Sequence, residues 1–310
     1  MPMWMLLSLA CRTSTPVSAP ATTTMTSTAP DVVRFVALGD GGEGNATQRR
    51  VAEAVQKVCQ ERGCDLVLYL GDNLYPDGPV SVDDPQFHDK FEAPYAELDL
   101  PFMVVLGNHD FGERPFDQEK AALEVAYAQT SDKWTMPGRF YDFVAGPAQF
   151  YALDTNEIMV WDELNQAGWM ERAQRGSDRP WQIAFGHHPY ISNGKHGSAG
   201  SYEGLPAIPI ANGAKLKEFL DARVCGQVDL YLSGHDHNRQ WLEPQCGTQF
   251  AVSGAAAKLT PLEHRGVPTA FEDDSKAGFL WVELAGDTLT AAFYDEQAQL
   301  DHQTTLTRSP

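Results

Sequence analysis

Polar residues that can bind metal ions follow five short apolar segments of this chain. In each segment a glycine ends the apolar run and a potential ligand follows it directly, namely Asp40, Asp72, Asn108, His187 and His235. Tyr75 and His237, three residues beyond Asp72 and two beyond His235, bring the set to seven. Hard oxygen donors together with imidazoles are ligands that first-row transition-metal ions take. One such segment would predict only a turn or a strand end, whereas five in order predict a binuclear metal site.

The spacing of these donors suggests how they divide between two ions. Asp72 and Tyr75 can reach one ion from a single turn, and the carboxylate of Asp72 can bridge to a second ion. His235 and His237 have the period-two spacing of a strand end, so they either face the same way or diverge to one ion each. His109, which follows the amide ligand, points elsewhere and is therefore free to contact a substrate.

The apolar segments before the donors are predicted to be buried strands, because each is a short run that a glycine ends. Ligands that follow such strands collect at one rim of a sheet, where open α/β folds bind their ligands. Strands are predicted near residues 32–38, 66–70, 102–106, 139–144, 149–153, 181–185, 230, 240, 249, 278–284 and 288–294. Helices are predicted near residues 47–58, 86–98, 119–128, 164–173 and 214–222. Because helices alternate with strands early and strands dominate later, we predict an α/β fold of two packed sheets covered by helices.

The chain divides into a leader, a tether and one folded domain. The donor segments extend from residue 36 to residue 237 without a linker, so residues 31–310 are predicted to be a single domain. Residues 12–30 are almost entirely threonine, serine, proline and alanine, which predicts a flexible tether. Residues 1–11 contain an apolar run too short to span a bilayer and predict an export signal. Cys11 resembles the lipid-attachment cysteine of bacterial lipoproteins, so the protein is expected to be secreted, periplasmic or lipid-anchored at the cell envelope.

The four remaining cysteines agree with export, because an even number favours disulfides. We predict that Cys59 pairs with Cys64 across a helix end and that Cys225 pairs with Cys246 beside the histidine-rich segment. Four buried thiols or a zinc site are the alternatives. Neither pair has the short Cys-x-x-Cys spacing that is typical of zinc ligands.

The ordered set of donor segments resembles the calcineurin-like metallophosphoesterases, and Tyr75 narrows the resemblance to the purple acid phosphatases. It extends further to the small, mammalian-type branch that includes tartrate-resistant acid phosphatase. The resemblance covers roughly residues 33–260, through residues 39–42, 71–75, 107–110, 134–137, 140–141, 234–238 and 252–255. It implies the fold of that superfamily, in which two packed mixed sheets are flanked by helices in four layers.

The resemblance also assigns the ligands to two ions. It implies a ferric ion held by Asp40, Asp72, Tyr75 and His237, and a divalent iron, zinc or manganese ion held by Asp72, Asn108, His187 and His235. The phenolate of Tyr75 on ferric iron would then give the protein its colour. His109 and His196 lie where the family has its two substrate-facing histidines. The sequence departs from the branch at His188, where a tyrosine is usual.

The expected activity is hydrolysis of phosphomonoesters to an alcohol and phosphate by metal-activated hydroxide. His109 and His196 would orient the ester and protonate the leaving alkoxide. Two alternatives are a phosphodiesterase or diphosphate hydrolase with two divalent ions, and a non-catalytic surface protein that kept the fold for binding. The net charge of −19 argues against nucleic acid, whose backbone requires lysine and arginine. We therefore expect a monomer that acts on small phosphate esters.

Overall fold

Two mixed sheets pack face to face in the computed structural model, which describes residues 22–24, 32–112, 117–160, 164–204 and 212–308. The first sheet has the spatial order β1 (Thr22–Thr24), β6 (Tyr141–Ala145), β7 (Ala148–Ala152), β8 (Trp181–Phe185), β9 (Leu230–Ser233), β11 (Gln249–Ser253), β10 (Arg239–Leu242) and β12 (Thr269–Asp273). The second sheet has the order β15 (Leu300–Thr307), β14 (Thr288–Asp295), β13 (Gly278–Ala285), β2 (Val32–Leu38), β3 (Leu66–Tyr69), β4 (Phe102–Val104) and β5 (Trp134–Thr135). The predicted α/β fold with two packed mixed sheets is therefore confirmed.

Helices cover the outer faces of the two sheets. Those in the described ranges are α1 (Ala46–Arg62), the single turn α2 (Pro85–Phe87), α3 (Gln118–Tyr127), α4 (Thr155–Val160), α5 (Gln166–Gly176) and α6 (Ala214–Arg223). Helix α1 packs on β13 and β14, whereas α4 and α5 pack beside α6. Asn45 caps α1, because its side chain accepts a hydrogen bond from the backbone N–H of Gln48 at 2.9 Å.

The main core lies between the sheets, since alternate residues of a central strand face opposite layers. On β8, Ile183 and Phe185 pack in this core, while Ala184 packs in a second cluster with side chains of the outer helices. Phe35 of β2 and Phe150 of β7 meet edge to face across the interface, with ring centroids 5.5 Å apart. The order of layers is therefore helix, sheet, sheet, helix.

The structure differs from the predicted elements mainly at the edges of the two sheets and in the helices. The helix predicted over residues 86–98 is only the turn α2, which continues as a π-helical turn over His88–Glu92. Strands β5, β12 and β15 and helix α4 lack a predicted counterpart. Strand β1 falls within the predicted tether and pairs in parallel with β6. The rest of the predicted leader and tether, including Cys11, lies outside the described residues.

Both predicted disulfides are present in the structure. Cys59, near the end of α1, bonds to Cys64, and Cys225, just after α6, bonds to Cys246. The alternatives of buried thiols and of a zinc site are therefore wrong. No helix in the described ranges has both the length and the apolar character needed to cross a membrane.

Candidate metal centre

The seven predicted ligands lie just beyond the carboxyl ends of five strands. Strands β2, β3 and β4 of the second sheet and β8 and β9 of the first sheet each end in the glycine-containing turn that carries one or two of them. The site therefore lies where the two sheets meet at one edge. This is the position at which open α/β sheets bind their ligands.

The turns that hold the ligands adopt backbone conformations that side chains seldom take. Asp40, Asp72 and His235 have φ angles of 59°, 54° and 69°, in the left-handed region. A Cβ atom on Gly71, whose φ is 86°, would lie only 2.6 Å from the backbone nitrogen of Gly107. Strain of this kind clusters at functional sites, where the surrounding fold holds it in place.

One group of donor atoms surrounds the phenol oxygen of Tyr75. This Oη lies 2.6 Å from Oδ2 of Asp72 and 3.0 Å from Oδ1 of Asp40. The Nε2 atom of His237 lies 3.3 Å from the phenol oxygen and 3.4 Å from Oδ1 of Asp40. Two carboxylates, a phenol and an imidazole thus converge on one point.

A second group of donor atoms surrounds Nε2 of His187. Oδ1 of Asn108 lies 3.0 Å from this nitrogen, and Nδ1 of His235 lies 3.1 Å from it. Oδ1 of Asp72 is 3.5 Å away. Since the other oxygen of Asp72 faces Tyr75, this carboxylate has one oxygen in each group, which is the arrangement of a bridging ligand.

The charges at the centre fit a pair of metal cations. Asp40 and Asp72 are buried, and within the described ranges neither forms an ion pair with a lysine or an arginine. Burial and the two neighbouring carboxylates raise the pKa of Tyr75 well above its usual value. A phenol can donate only one hydrogen bond, so it cannot satisfy both carboxylates. A cation with phenolate and carboxylate ligands would neutralise this group, and the residues present therefore fit the metal centre.

The two histidines predicted to face the substrate lie beside these groups, and both are half-buried. The ring of His109 lies 4.5 Å from that of Tyr75, and its Nδ1 lies 2.7 Å from the carbonyl oxygen of Pro76. The ring of His196 lies 4.1 Å from that of His235. The structure therefore brings all nine predicted site residues together.

Sequence reasoning did not find the residues that hold these histidines and loops. Nδ1 of His196 pairs with the carboxylate of Glu203, and the backbone N–H of His196 donates to Oδ1 of Asp236 at 2.8 Å. Asp236 lies between two predicted ligands, yet the sequence alone assigns it no task. Glu203 belongs to no motif that would indicate a role, because its contact with His196 depends on how the chain folds between the two residues.

Asp110 is the other residue that the motif contains without revealing its purpose. Its buried carboxylate accepts hydrogen bonds from the backbone N–H groups of Gly107, Asn73 and Leu74 at 2.7, 2.8 and 3.0 Å. Burial and the charge of Asp72 raise the pKa of Asp110 to about 7. Asp110 thereby ties the turn after β3 to the turn after β4.

His188, the departure from the family pattern, lies inside the site rather than on its surface. Its Nδ1 lies 2.8 Å from Oγ1 of Thr155, and its ring lies 4.5 Å from that of His235. Burial and the neighbouring His187 lower the pKa of His188 well below its usual value. The three remaining histidines of the chain contact other side chains: His88 lies by Asp89, His264 by Glu272 and His302 by Phe271.

Comparison with known proteins agrees with this geometry. The family model for calcineurin-like phosphoesterases matches residues 33–239. Tartrate-resistant acid phosphatase type 5 of Oryctolagus cuniculus is 30% identical, with 90% of this chain and 92% of the relative aligned. Purple acid phosphatase 4 of Arabidopsis thaliana is 27% identical over 87% of this chain and 82% of its own length.

A solved structure supports the fold. GAP50, described as the anchor in the inner membrane complex of Plasmodium, superposes with a TM-score of 0.72 at 20% identity and with 90% of each chain covered. At that identity the likeness concerns the fold alone. The extent of the family match and of the phosphatase alignments shows that this chain is a phosphoesterase with a metal centre, and that it belongs to the calcineurin-like phosphoesterase family and, within it, to the purple acid phosphatases of the tartrate-resistant type.

Proposed function

We propose that the protein hydrolyses phosphomonoesters to an alcohol and inorganic phosphate at a centre that pairs a ferric ion with divalent iron, zinc or manganese. The observation that carries this proposal is the position of Tyr75, whose phenol oxygen lies within 3.0 Å of both buried carboxylates. A phenolate among carboxylates is a hard, anionic ligand set, which suits a small trivalent ion. The family match and the acid phosphatase relatives support the same activity.

The ligand roles follow the two groups of donor atoms. Asp40, Tyr75 and His237 would hold the ferric ion, Asn108, His187 and His235 would hold the divalent ion, and Asp72 would contribute one oxygen to each. Such a pair, when bound, supplies Lewis acidity toward the phosphoryl oxygens and activates water for in-line attack. Oδ1 of Asn108 and Nδ1 of His235 both lie within 3.1 Å of Nε2 of His187. We therefore assign His187, rather than His188, as the ligand from this segment.

His109 and His196 bind and orient the ester and donate a proton to the leaving alkoxide. Glu203 engages Nδ1 of His196 and so leaves Nε2 to face the substrate. The carbonyl oxygen of Pro76 engages Nδ1 of His109 in the same way. Each ring thus has one nitrogen fixed by the protein and one available, which is the arrangement that a positioned general acid requires.

Replacing His196 by alanine is expected to slow hydrolysis most for esters with poor leaving groups. A positioned general acid contributes about 10²–10⁴-fold, and the contribution shrinks as the leaving group becomes a weaker base. The test is kcat for a series of aryl and alkyl phosphates whose leaving groups differ in pKa. His264→Ala, an exposed histidine paired with Glu272, serves as the control and should behave as wild type. A uniform loss across the series would contradict proton donation by His196.

The reaction class is tested by comparing a monoester, its diester and a diphosphate. We expect 4-nitrophenyl phosphate to have a higher kcat/KM than bis(4-nitrophenyl) phosphate and pyrophosphate, together with a visible absorption band in the purified protein. A preference for the diester or diphosphate in a colourless protein would favour the enzyme with two divalent ions. Absence of hydrolysis in a fully metal-loaded protein would favour the non-catalytic binding protein.

We propose in addition that the protein acts outside the cytoplasm. The two disulfides support this, because such bonds form and persist in oxidising compartments. The expected export signal and the Cys11 attachment site remain predictions, as does the monomeric state.

A further inference from the structure

A lysine side chain lies against the ring of the proposed phenolate ligand. Nζ of Lys258 is 3.2 Å from the ring centroid of Tyr75, well within the range of a cation–π interaction. The same ammonium group forms an ion pair with Oε1 of Glu43 at 2.9 Å. Glu43 follows the turn that carries the ligand Asp40, so a neighbour of one proposed ligand holds the lysine over another.

The loop that carries Lys258 is fixed to the metal-binding turns on both sides. The backbone N–H of Ala256 donates to the carbonyl oxygen of Gly39 at 3.3 Å, and that of Thr260 donates to the carbonyl oxygen of His237 at 3.0 Å. The side chain of Asn45 donates to the carbonyl oxygen of Ala257 at 2.9 Å. These hydrogen bonds fix the position of the backbone around Lys258. A lysine on a free surface loop would not be held in this way.

The position of this charge has an electronic consequence for the ring. A cation over an aromatic face is attracted by the ring's electrons and lowers their energy. The attraction grows when the ring carries the negative charge of a phenolate. Since Lys258 contacts the ring itself, it acts more strongly on the ring than on an ion beyond the phenol oxygen.

We propose that Lys258 is a positioning residue that acts through Tyr75 and sets the colour and the reduction potential of the iron. By lowering the energy of the phenolate's donor electrons, the ammonium group widens the gap to the iron orbitals that accept them. The charge-transfer band therefore lies at shorter wavelength, and the ferric ion is easier to reduce, than with an uncharged residue at this position. This inference rests on the iron–phenolate assignment proposed above.

The experiment is the visible spectrum of the purified, metal-loaded Lys258→Met variant. We expect the band to move to longer wavelength by on the order of 10 nm, as the loss of one unit charge beside the ring in a partly buried site predicts. We also expect the reduction potential of the iron to fall. Lys258→Arg, which keeps a cation able to stack on the ring, should restore both values toward those of wild type.

Lys276→Met is the matched control. Lys276 lines the same surface groove as Lys258 but pairs with Asp295 and Asp301, so its removal changes the net charge equally without changing the ring's contacts. An unmoved band in Lys258→Met, or an equal shift in Lys276→Met, would overturn the inference. Lys258→Gln removes the charge but keeps a polar end group, and it provides a second test if the methionine variant folds poorly.

Failure of this inference can be distinguished from failure of the proposed function. A coloured wild type whose band ignores Lys258 refutes the role of the lysine alone. A colourless wild type that still hydrolyses phosphomonoesters refutes both the iron–phenolate assignment and the role of Lys258, but leaves the phosphatase activity standing. Iron content per chain, measured on every sample, ensures that the spectra compare equally loaded proteins.

Discussion

Replacement of Asp72 by asparagine is expected to lower kcat/KM for phosphomonoesters by at least about a thousandfold, the upper end of what the loss of one preorganised group costs. Both oxygens of this carboxylate are engaged. Oδ2 lies 2.6 Å from the phenol oxygen of Tyr75, and Oδ1 accepts from the backbone N–H of His109 at 2.9 Å. An amide has one acceptor oxygen and no charge, so it cannot serve both groups of donors. Elemental analysis should accordingly find fewer than two metal ions per chain.

The stability of the variant separates loss of chemistry from loss of fold. The charge of Asp72 repels that of Asp110 and raises the pKa of that residue. Removing it relieves this repulsion but also loses the attraction of His187 and the hydrogen bonds that outweigh burial and lower the pKa of Asp72, so the metal-free Asp72→Asn protein should still fold but melt below metal-free wild type. Asp84→Asn is the control for the loss of a buried carboxylate outside the site. Asp84 is also buried, but its carboxylate caps a turn by accepting hydrogen bonds from the N–H groups of Val80 and Gln86. An Asp72→Asn enzyme that keeps both metals and near-normal activity would refute the bridging role.

The strands and their ligands could be predicted because one local signal carries both. An apolar run that a glycine ends is a buried strand followed by a sharp turn, and the residue after the glycine then projects from the sheet edge. All five strands that precede the ligands, β2, β3, β4, β8 and β9, follow this rule. Edge strands do not, because half of β15 faces solvent and its threonine-rich sequence offers few apolar positions. Tertiary contacts hold it instead: Arg239 of β10 pairs with Asp301 of β15 at 2.8 Å.

The division of ligands between two ions could be predicted only in part. The period-two spacing of His235 and His237 left open whether they share an ion or diverge. In the structure they diverge, because a φ of 69° at His235 turns the chain between them. His235 then joins the group around His187, and His237 joins the group around Tyr75. Spacing alone cannot reveal a left-handed residue that is not glycine.

The residues that support the site were beyond sequence reasoning for a different reason. Glu203 and Lys258 come from segments without periodicity; Glu203 reaches His196 across a short irregular segment, and Lys258 contacts Tyr75, which is far away in the chain. Asp110 was visible as part of a motif, but its three backbone hydrogen bonds depend on how two turns meet. Such contacts arise from the packed fold, so only coordinates reveal them.

Replacement of Tyr75 by phenylalanine is expected to abolish the visible absorption band while preserving the fold. The ring is buried, and phenylalanine fills the same space; only the phenol oxygen near Asp40 and Asp72 is lost. Without a phenolate, no ligand in the set can donate electrons to ferric iron in the visible range. Activity should fall less than in Asp72→Asn, because the six other donors remain. The measurement is an optical spectrum combined with elemental analysis of the same sample.

Tyr127→Phe is the matched control for this change. Tyr127 is also buried and donates to a carboxylate, Glu92 at 2.9 Å, yet it lies outside both groups of donors, so its loss should leave the colour intact. The Tyr75→Phe variant also tests the role of Lys258. The lysine is proposed to act through the phenolate of Tyr75, so it should have no effect on the spectrum once that phenolate is absent. The double variant with Lys258→Met should therefore match Tyr75→Phe alone. Colour that survives in Tyr75→Phe would place the chromophore elsewhere and remove the basis for assigning iron to this site.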